Sequence, residues 1–467
     1  MGTNSGTLQL ILNAAVVDLP DVDANLLDWL RASGLTAAKP GCRGGDCGAC
    51  QVLLGEVPPG DTEPAYRTVN SCLLTTLMVA DCHVVTVEGL DRDPISPVQQ
   101  ALVDHGAIQC GYCTPGLVTA LTGALLSGED PAIAASGNLC RCTGYAGIRR
   151  ACDRLASDFS SEPRSLAAAA HLGLVSEAVA DAGAALRPLR PDDDGSPPAD
   201  RVLLGGETDF SVQHPHASEH RGVLRVHRIP ALRGIAGAVD TIHIGAAVTV
   251  AELRADPMVA QAWPQLVPAL ERFGSPAIRH VATVGGNLVN ASPVGDLGVI
   301  LLALDAGLIL DGPNGPRTIP LDQFFRGYKD VDLSPGEILT SIVISRNTQR
   351  AVLHAEKVSR RRHDDIASVC SAMVVTGGEP GRFGRVRVSA GGVAPVPLLL
   401  RGVAGALSGN PISVPVLRDA LAVLRSEIAP IDDVRGSASY KARLLGHLIV
   451  AHAVSLNPDL DVWGCLS

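Results

Sequence analysis

A multidomain α+β protein is predicted by three features of this chain. Its 467 residues exceed what one hydrophobic core organises, so two to four domains are expected. Its local patterns change in blocks, from short strands around one helix, to a helical stretch, to strand-and-loop sequence, to terminal helices. Eight of its twelve cysteines form two sets of four, one in each of the first two blocks. Both sets have the spacing of iron–sulfur ligands, which makes an electron conduit the working expectation.

The first block opens with alternating strand-like sequence over residues 8–17. A helix pattern covers residues 26–30, a Gly/Cys loop residues 41–50, and further strands residues 51–54 and 84–87. From Ser96 the pattern is helical. Ser96 is a candidate N-cap followed by Pro97, and Pro115 opens a second helix through Leu117, Leu121 and Leu125. Residues 157–163 and 188–200 have loop composition, with one Ala-rich helix expected over residues 166–182. About 140 residues from Val202 onward look like strand and loop. The last block predicts strands around residues 386–389 and helices over residues 416–428 and 438–454.

Composition narrows the function. A net charge of −10 and a pI near 5.7 argue against a nucleic-acid partner, which requires a basic face. Mean hydropathy is positive at +0.23, yet the longest apolar stretch, residues 297–310, is bounded by Asp296 and broken by Asp305. No membrane span or secretory signal is read, so a cytoplasmic protein with reduced, metal-competent cysteines is expected.

In the first set, Cys42, Cys47 and Cys50 have C-x4-C-x2-C spacing, closed by Cys72. That is plant-type [2Fe–2S] spacing. A buried anionic cluster needs backbone N–H donors around its sulfurs, and a loop wrapped that tightly needs Gly41, Gly44, Gly45 and Gly48. Zinc is the competing ligand, although it ordinarily takes paired C-x2-C knuckles. The second set, Cys110-x2-Cys113 with Cys140-x-Cys142, lies at the mouths of two predicted helices, where free N–H groups favour thiolates. Its spacing alone suits zinc as well as iron–sulfur. Cys82, Cys152, Cys370 and Cys465 have no pattern and are expected as small buried residues.

Residues 202–460 contain no G-x-G-x-x-G of the dinucleotide fold. Two other glycine strings are present, Leu203-Leu204-Gly205-Gly206-Glu207-Thr208-Asp209-Phe210 and Thr283-Val284-Gly285-Gly286-Asn287, the second leading to Asn290 and Asp296. Either could present backbone N–H groups to a diphosphate, and either alone could be an ordinary turn.

A plant-type loop followed by QCGYCTPG and NLCRCTGY resembles the iron–sulfur portion of the molybdenum hydroxylase (xanthine oxidase) family over residues 8–155. The resemblance implies a [2Fe–2S] cluster in each set, one in a ferredoxin-like β-grasp domain (7–90) and one in a four-helix domain (91–158). One departure is Gly44, where relatives often carry Glu. After a linker (159–200), the glycine strings, FFRGYK at residues 324–329, LSPGEIL at 333–339 and KVSRRRHDDIA at 357–367 look like the same family's flavin region. That implies an α+β FAD-binding domain of the vanillyl-alcohol-oxidase-like class (201–350) and a C-terminal α+β flavoprotein domain (351–460). FAD contacts are implied for Leu203, Leu204, Gly205, Gly206, Glu207, Thr208, Asp209, Phe210, Thr283, Val284, Gly285, Gly286, Asn287, Asn290, Asp296, Leu339 and Lys357. Phe273 is placed against the flavin ring, and Tyr328 and Asp364 near a nicotinamide site. No catalytic residue is assigned.

The resemblance further implies a separate large subunit bearing the molybdenum cofactor, in a dimer of heterodimers. Electrons would pass to the Cys110 set, then to the Cys42 set, then to FAD and NAD+. Xanthine and hypoxanthine oxidation to urate is the implied reaction. Another purine, an N-heterocycle, an aldehyde, or a stand-alone electron-transfer flavoprotein are the alternatives.

Overall fold

The computed structural model describes residues 8–20, 23–57, 62–159, 164–189, 202–214, 223–347 and 351–463. The chain divides into two compact units, the first made of residues 1–195, 200–230 and 274–282, the second of 196–199, 231–273 and 283–467.

In the first unit, the alternating run near the start is a hairpin rather than one strand. β1 (Gln9–Leu12) and β2 (Ala15–Asp18) pair antiparallel around Asn13, whose φ of 55° makes the turn. β3 (Gln51–Glu56), β4 (Ala65–Asn70) and β5 (His83–Val85) complete a sheet in the order β2-β1-β5-β3-β4, with β1 and β5 parallel. The predicted helix forms as Leu26–Ala32, and Asn25 caps it by accepting from the Leu27 and Asp28 N–H groups. Its buried face, Leu26, Leu27 and Leu30, closes the sheet.

Four helices follow, as expected for the second block: Pro97–Asp104, Thr114–Ser127, Pro131–Ala135 and Ala146–Asp158. Ser96 and Gln99 form a reciprocal capping box at the first. Helix Thr114–Ser127 is buried from Gly116 through Leu126, because it lies against β3 and β4 as well as its sister helices. Glycine makes that approach possible: a Cβ at Gly116 would lie 2.0 Å from the Gly48 carbonyl oxygen, and one at Gly123 would lie 2.1 Å from Thr68 Oγ1. Leu53, Tyr66 and Val85 of the sheet therefore share one core with Leu117, Leu121 and Leu125 of the helix.

The Ala-rich segment differs from expectation. It forms two helices, Leu166–His171 and Glu177–Ala184, because Gly173 takes φ 72° and Ser176 caps a new start. Leu166, Ala169, Leu174 and Val179 of this segment join the same core. The expected loops over 157–163 and 188–200 fall largely on residues outside those described. β6 (Val202–Leu204) and β7 (Val223–Arg225) form a parallel pair, and the short helix Pro276–Arg279 packs on β4.

The second unit overturns the strand-and-loop reading of its first half. β8 (Ile235–Gly237) and β9 (Thr241–Gly245) are followed by helices Val250–Ala255, Pro257–Ala262, Leu266–Glu271, Val284–Val289 and Asp296–Ala303. Each spans eight residues or fewer, too little for a helical period to stand out among glycines and prolines. β10 (Gly307–Asp311), β11 (Arg317–Pro320), the small pair β12 (Phe325–Gly327) and β13 (Asp330–Val331), and β14 (Ile338–Ser345) follow. The main sheet is antiparallel in the order β11-β10-β14-β9-β8.

A second antiparallel sheet consists of β15 (Val352–Val358), β16 (Val369–Thr376), β17 (Arg385–Gly391) and β18 (Leu398–Leu399). Helices Arg401–Leu407 and Ala438–Leu456 pack on it, with Val414–Glu427 between them; the two longer ones lie where the apolar period predicts. The apolar stretch 297–310 divides into helix Asp296–Ala303 and β10, and no helix of the described residues is long and apolar enough to cross a membrane. Cys82, Cys152 and Cys370 are buried as expected, while Cys465 lies outside the described residues.

Gly116→Ala should lower the first unfolding transition by about 1–3 kcal/mol, because the added methyl forces helix Thr114–Ser127 off the Gly48 carbonyl. Gly405→Ala, on an exposed helix position with nothing near the new Cβ, should instead stabilise by up to about 1 kcal/mol. Denaturant unfolding of the two variants checks the contrast.

Candidate iron–sulfur and flavin sites

The structure brings Cys42, Cys47, Cys50 and Cys72 together. The first three come from the loop between helix Leu26–Ala32 and β3, and Cys72 from the turn after β4. The loop is wound as the glycines predict: Arg43, Gly45 and Gly48 take φ values of 56°, 86° and 66°. A Cβ at Gly41 would stand 2.6 Å from Cys47 Sγ, so glycine is needed for the chain to pass the sulfur. Around Gly44 there is room, with the nearest atom 3.7 Å from a built Cβ, so the departure to glycine there is not forced by packing.

Backbone donors point at the sulfurs. The Cys42 N–H donates to Cys47 Sγ at 3.3 Å and the Gly44 N–H to Cys42 Sγ at 3.4 Å. Three side chains brace the loop: Asn70 donates to the Gly45 carbonyl (2.9 Å), Ser71 to the Cys50 carbonyl (2.7 Å) and Asn25 to the Cys72 carbonyl (2.9 Å). The thiols associate as two pairs. Cys47 draws the Cys42 pKa down to about 5 and is itself raised, and Cys72 lowers Cys50 in the same way. Two adjacent thiol pairs fit the two-per-metal donor set of a binuclear cluster. Among the described residues, no group of three or more His, Cys, Asp or Glu closes on a single ion.

The second set also pairs, Cys110 with Cys142 and Cys113 with Cys140. Cys113 sits at the N-cap of helix Thr114–Ser127, and Cys142 lies just before helix Ala146–Asp158. Burial, then Cys140, pushes the Cys113 thiol up to about 12. Tyr145, at φ 66°, folds back so that its hydroxyl accepts from the Cys140 N–H at 3.0 Å. The Cys140 sulfur lies 3.2 Å from Thr143 Oγ1.

The two loops touch through residues outside the predicted ligand sets. The Leu139 N–H donates to the Cys47 carbonyl at 3.0 Å. Beside it the buried Asn138 amide donates to the Gly48 carbonyl at 3.1 Å and to Gln51 Oε1 at 3.0 Å. Asn138 was visible as the first residue of NLCRC, but only the fold shows what it reaches. Exposure differs between the sets by one cysteine: Cys42, Cys110 and Cys142 are exposed, Cys47 and Cys113 half-buried, and Cys50, Cys72 and Cys140 buried. Ile278 packs on the buried pair, and Ser211 Oγ donates to the Leu73 carbonyl at 2.9 Å.

The predicted flavin residues fall on both units. In the first, Leu203 and Leu204 end β6, Gly205 and Gly206 turn the chain, and Phe210 begins a short helix after Glu207, Thr208 and Asp209. A Cβ at Gly206 would stand 1.8 Å from the Val281 carbonyl oxygen, so this glycine serves backbone packing. Glu207 takes φ 56° and is buried, and burial first, then Asp23, pushes its pKa up to about 8. Its Oε2 has no hydrogen-bond partner.

In the second unit, Thr283 caps helix Val284–Val289 by accepting from the Gly286 N–H at 3.0 Å. Gly285 is pressed on Ala246, whereas Gly286 is exposed and meets only Thr283 Oγ1. Asp296 pairs with Lys357 at 2.6 Å, and Lys357 also donates to the Arg272 carbonyl, next to Phe273, at 3.0 Å. Asn290 accepts from Lys329 at 2.6 Å, and Leu339 is buried in β14. Asn287 Oδ1 and Asp296 Oδ1 are buried without hydrogen-bond partners, as acceptor atoms are where a polar ligand completes a site. These residues suit FAD. Tyr328 is 68% exposed, and Asp364 is buried at φ 51°.

Comparison with known proteins agrees with this layout. Four family models match in order: "2Fe-2S iron-sulfur cluster binding domain" at 13–75, "[2Fe-2S] binding domain" at 86–153, "FAD binding domain in molybdopterin dehydrogenase" at 193–346, and "CO dehydrogenase flavoprotein C-terminal domain" at 354–453. Xanthine dehydrogenase of Emericella nidulans is 27% identical over 97% of the chain, and xanthine dehydrogenase 1 of Arabidopsis thaliana is 28% identical over 91%. The matches span only 39% and 38% of those proteins' own lengths. Among solved structures, a carbon monoxide dehydrogenase from Hydrogenophaga pseudoflava matches 56% of the chain and 91% of its own, with 28% identity and TM-score 0.52. Quinoline 2-oxidoreductase from Pseudomonas putida 86 matches 58% of the chain and 92% of its own, at 20% identity and TM-score 0.51, a likeness of fold.

Two outcomes follow from the site. Cys47→Ser should remove one of two spin-distinct signals of the dithionite-reduced protein and leave flavin content unchanged; loss of both or neither contradicts separate sites. For Glu207, the folded-state pKa lies above the ordinary 4.5, so its contribution to stability is complete below that value and is lost as pH rises toward about 8. Glu207→Gln should therefore match the parent in acid and gain about 1–3 kcal/mol by slightly alkaline pH, read from denaturant unfolding of flavin-saturated protein.

Proposed function

Because the chain belongs to the molybdenum hydroxylase family, with its two [2Fe–2S] domains and its FAD domain, we propose that it is the electron-transfer subunit of a xanthine dehydrogenase. A large subunit would supply the molybdenum cofactor and oxidise xanthine or hypoxanthine to urate. The matched xanthine dehydrogenases are more than twice as long as this chain, which supports a separate partner of that kind. A dimer of such heterodimers and a cytoplasmic setting are part of the proposal.

When bound, the two clusters supply single-electron transfer, and FAD gathers two electrons for hydride transfer to NAD+. The chain's own residues orient that traffic. The observation that carries the reading is the count of exposed cysteines, two in the second set (Cys110 and Cys142) against one in the first (Cys42). Cys110 and Cys142 are at the surface amid exposed Ile108, Tyr112, Leu139 and Tyr145, an apolar rim suited to a docking partner. Cys50 and Cys72 are buried against Ile278, from a segment within the matched FAD domain. Entry at the Cys110 set and exit from the Cys42 set are part of the proposal. Between them the Leu139 N–H and Cys47 carbonyl provide a short bonded route, and Asn138 holds it in register.

A second reading is the same architecture with another substrate, since a carbon monoxide dehydrogenase and quinoline 2-oxidoreductase share the fold of 56% and 58% of the chain. An aldehyde or another purine belongs to that same reading.

The experiment is coexpression with the large subunit and assay of xanthine, quinoline and carbon monoxide as reductants, with and without NAD+. Xanthine-dependent NADH formation is expected. Reduction by quinoline or carbon monoxide alone would transfer the assignment to that substrate. A complex whose flavin is reduced by xanthine but not reoxidised by NAD+ would contradict the acceptor.

A further inference from the structure

On the C-terminal sheet, away from every residue assigned above, three arginines surround a cavity of about 250 Å³ between β17 and helix Arg401–Leu407. Arg385 and Arg387 are two residues apart on β17 and therefore project from the same face of the strand. Arg401 begins the helix, and the floor is made of small residues, Ala404, Gly405 and Ser408. Ser408 Oγ accepts from the Val386 N–H at 3.0 Å, which fixes strand to helix. No atom lies within 4 Å of a Cβ built at Gly405, so the space over the floor is open.

The charges do not balance locally. Arg387 pairs with Asp305 at 3.0 Å and donates to the Leu302 carbonyl at 3.0 Å, and Arg401 pairs with Asp322. Arg385 has no ion-pair partner among the described residues. Three guanidinium groups thus face two carboxylates, and Arg387 Nε is buried with no hydrogen-bond partner. Burial, together with Arg385 and Arg401, pulls the Arg387 pKa below its ordinary value while Asp305 and Asp322 oppose it. An arrangement that crowds three guanidinium groups against two carboxylates is completed by an anion.

We propose that this cavity binds a small, multiply charged oxyanion of the phosphate class, held by Arg385, Arg387 and Arg401. Guanidinium forks match the paired oxygens of such an anion. The volume falls below the roughly 300–1,000 Å³ of sites for drug-sized ligands, so one tetrahedral group fits and a dinucleotide does not. The anion is either free phosphate or the phosphate arm of a nucleotide whose remainder extends into solvent.

The test is calorimetric titration of the full flavin- and iron-loaded chain with inorganic phosphate, AMP and adenosine at low, constant ionic strength. Saturable phosphate binding with a Kd below about 1 mM is expected. Arg385→Ala should weaken it by about tenfold or more, since it removes one charge-assisted contact. Gly405→Asp, which places a carboxylate in open space, should abolish it without changing flavin content or lowering the unfolding midpoint in phosphate-free buffer. AMP binding about tenfold tighter than phosphate, with none by adenosine, identifies the nucleotide arm as the source. Equal affinities identify the free anion. Absence of saturable binding by both phosphate and AMP, or binding that both variants leave unchanged, overturns the site.

Discussion

One backbone hydrogen bond carries much of this molecule's logic, the Leu139 N–H to the carbonyl of Cys47. It joins the residue before one cluster cysteine to another cluster cysteine, so the two loops cannot move apart without breaking it. Everything nearby protects that contact. Asn138 spends its amide hydrogens on Gly48 and Gln51, and Gly116 lets helix Thr114–Ser127 descend onto the Gly48 carbonyl. The shared core of Leu53, Tyr66, Leu117 and Leu121 then makes the sheet and the four helices one packing unit rather than two tethered domains. A relay needs fixed separation between its centres, and here that separation is set by main chain and buried amide rather than by flexible side chains.

Electrostatics explains the composition of both loops. Four thiolates gathered in one place repel one another, and the chain answers with N–H groups at Cys42 and Gly44, with tight left-handed turns at Gly45 and Gly48, and with the N-terminal mouths of two helices. No basic patch is required, which is why a chain with net charge −10 can hold two anionic groups. The residues proposed for flavin follow the same rule. They are glycines, Thr, Asn and Asp, with Lys357 neutralised by Asp296 rather than free.

Much of this was legible in the sequence, and the parts that were not have physical reasons. Cysteine spacing marked both sets as candidate ligands because short-range spacing is local, and the structure brings the members of each set together. Ser96–Pro97, Pro115 and the two long C-terminal helices were legible because capping chemistry and a 3.6-residue period are local. The helices between residues 250 and 303 were missed, since pieces of six or eight residues owe their form to tertiary packing. The Ala-rich segment looked like one helix because alanine propensity masks a break that Gly173 makes with its positive φ. Asn138 stood in plain sight in NLCRC, but its partners lie about 90 residues away in sequence, and no local pattern reports that distance. Glu207 was read as a loop residue on a phosphate-binding string, and only burial shows it as a raised-pKa acid.

The account is tested most directly by electron paramagnetic resonance of the fully reduced, anaerobically purified chain, with iron and zinc counted in the same sample. Two [2Fe–2S] domains predict four irons and no zinc, and the welded loops predict two signals that broaden each other, with the mutual broadening reduced in Asn138→Ala while both signals persist. Zinc in place of iron, or two signals with no magnetic interaction in the parent protein, would contradict it.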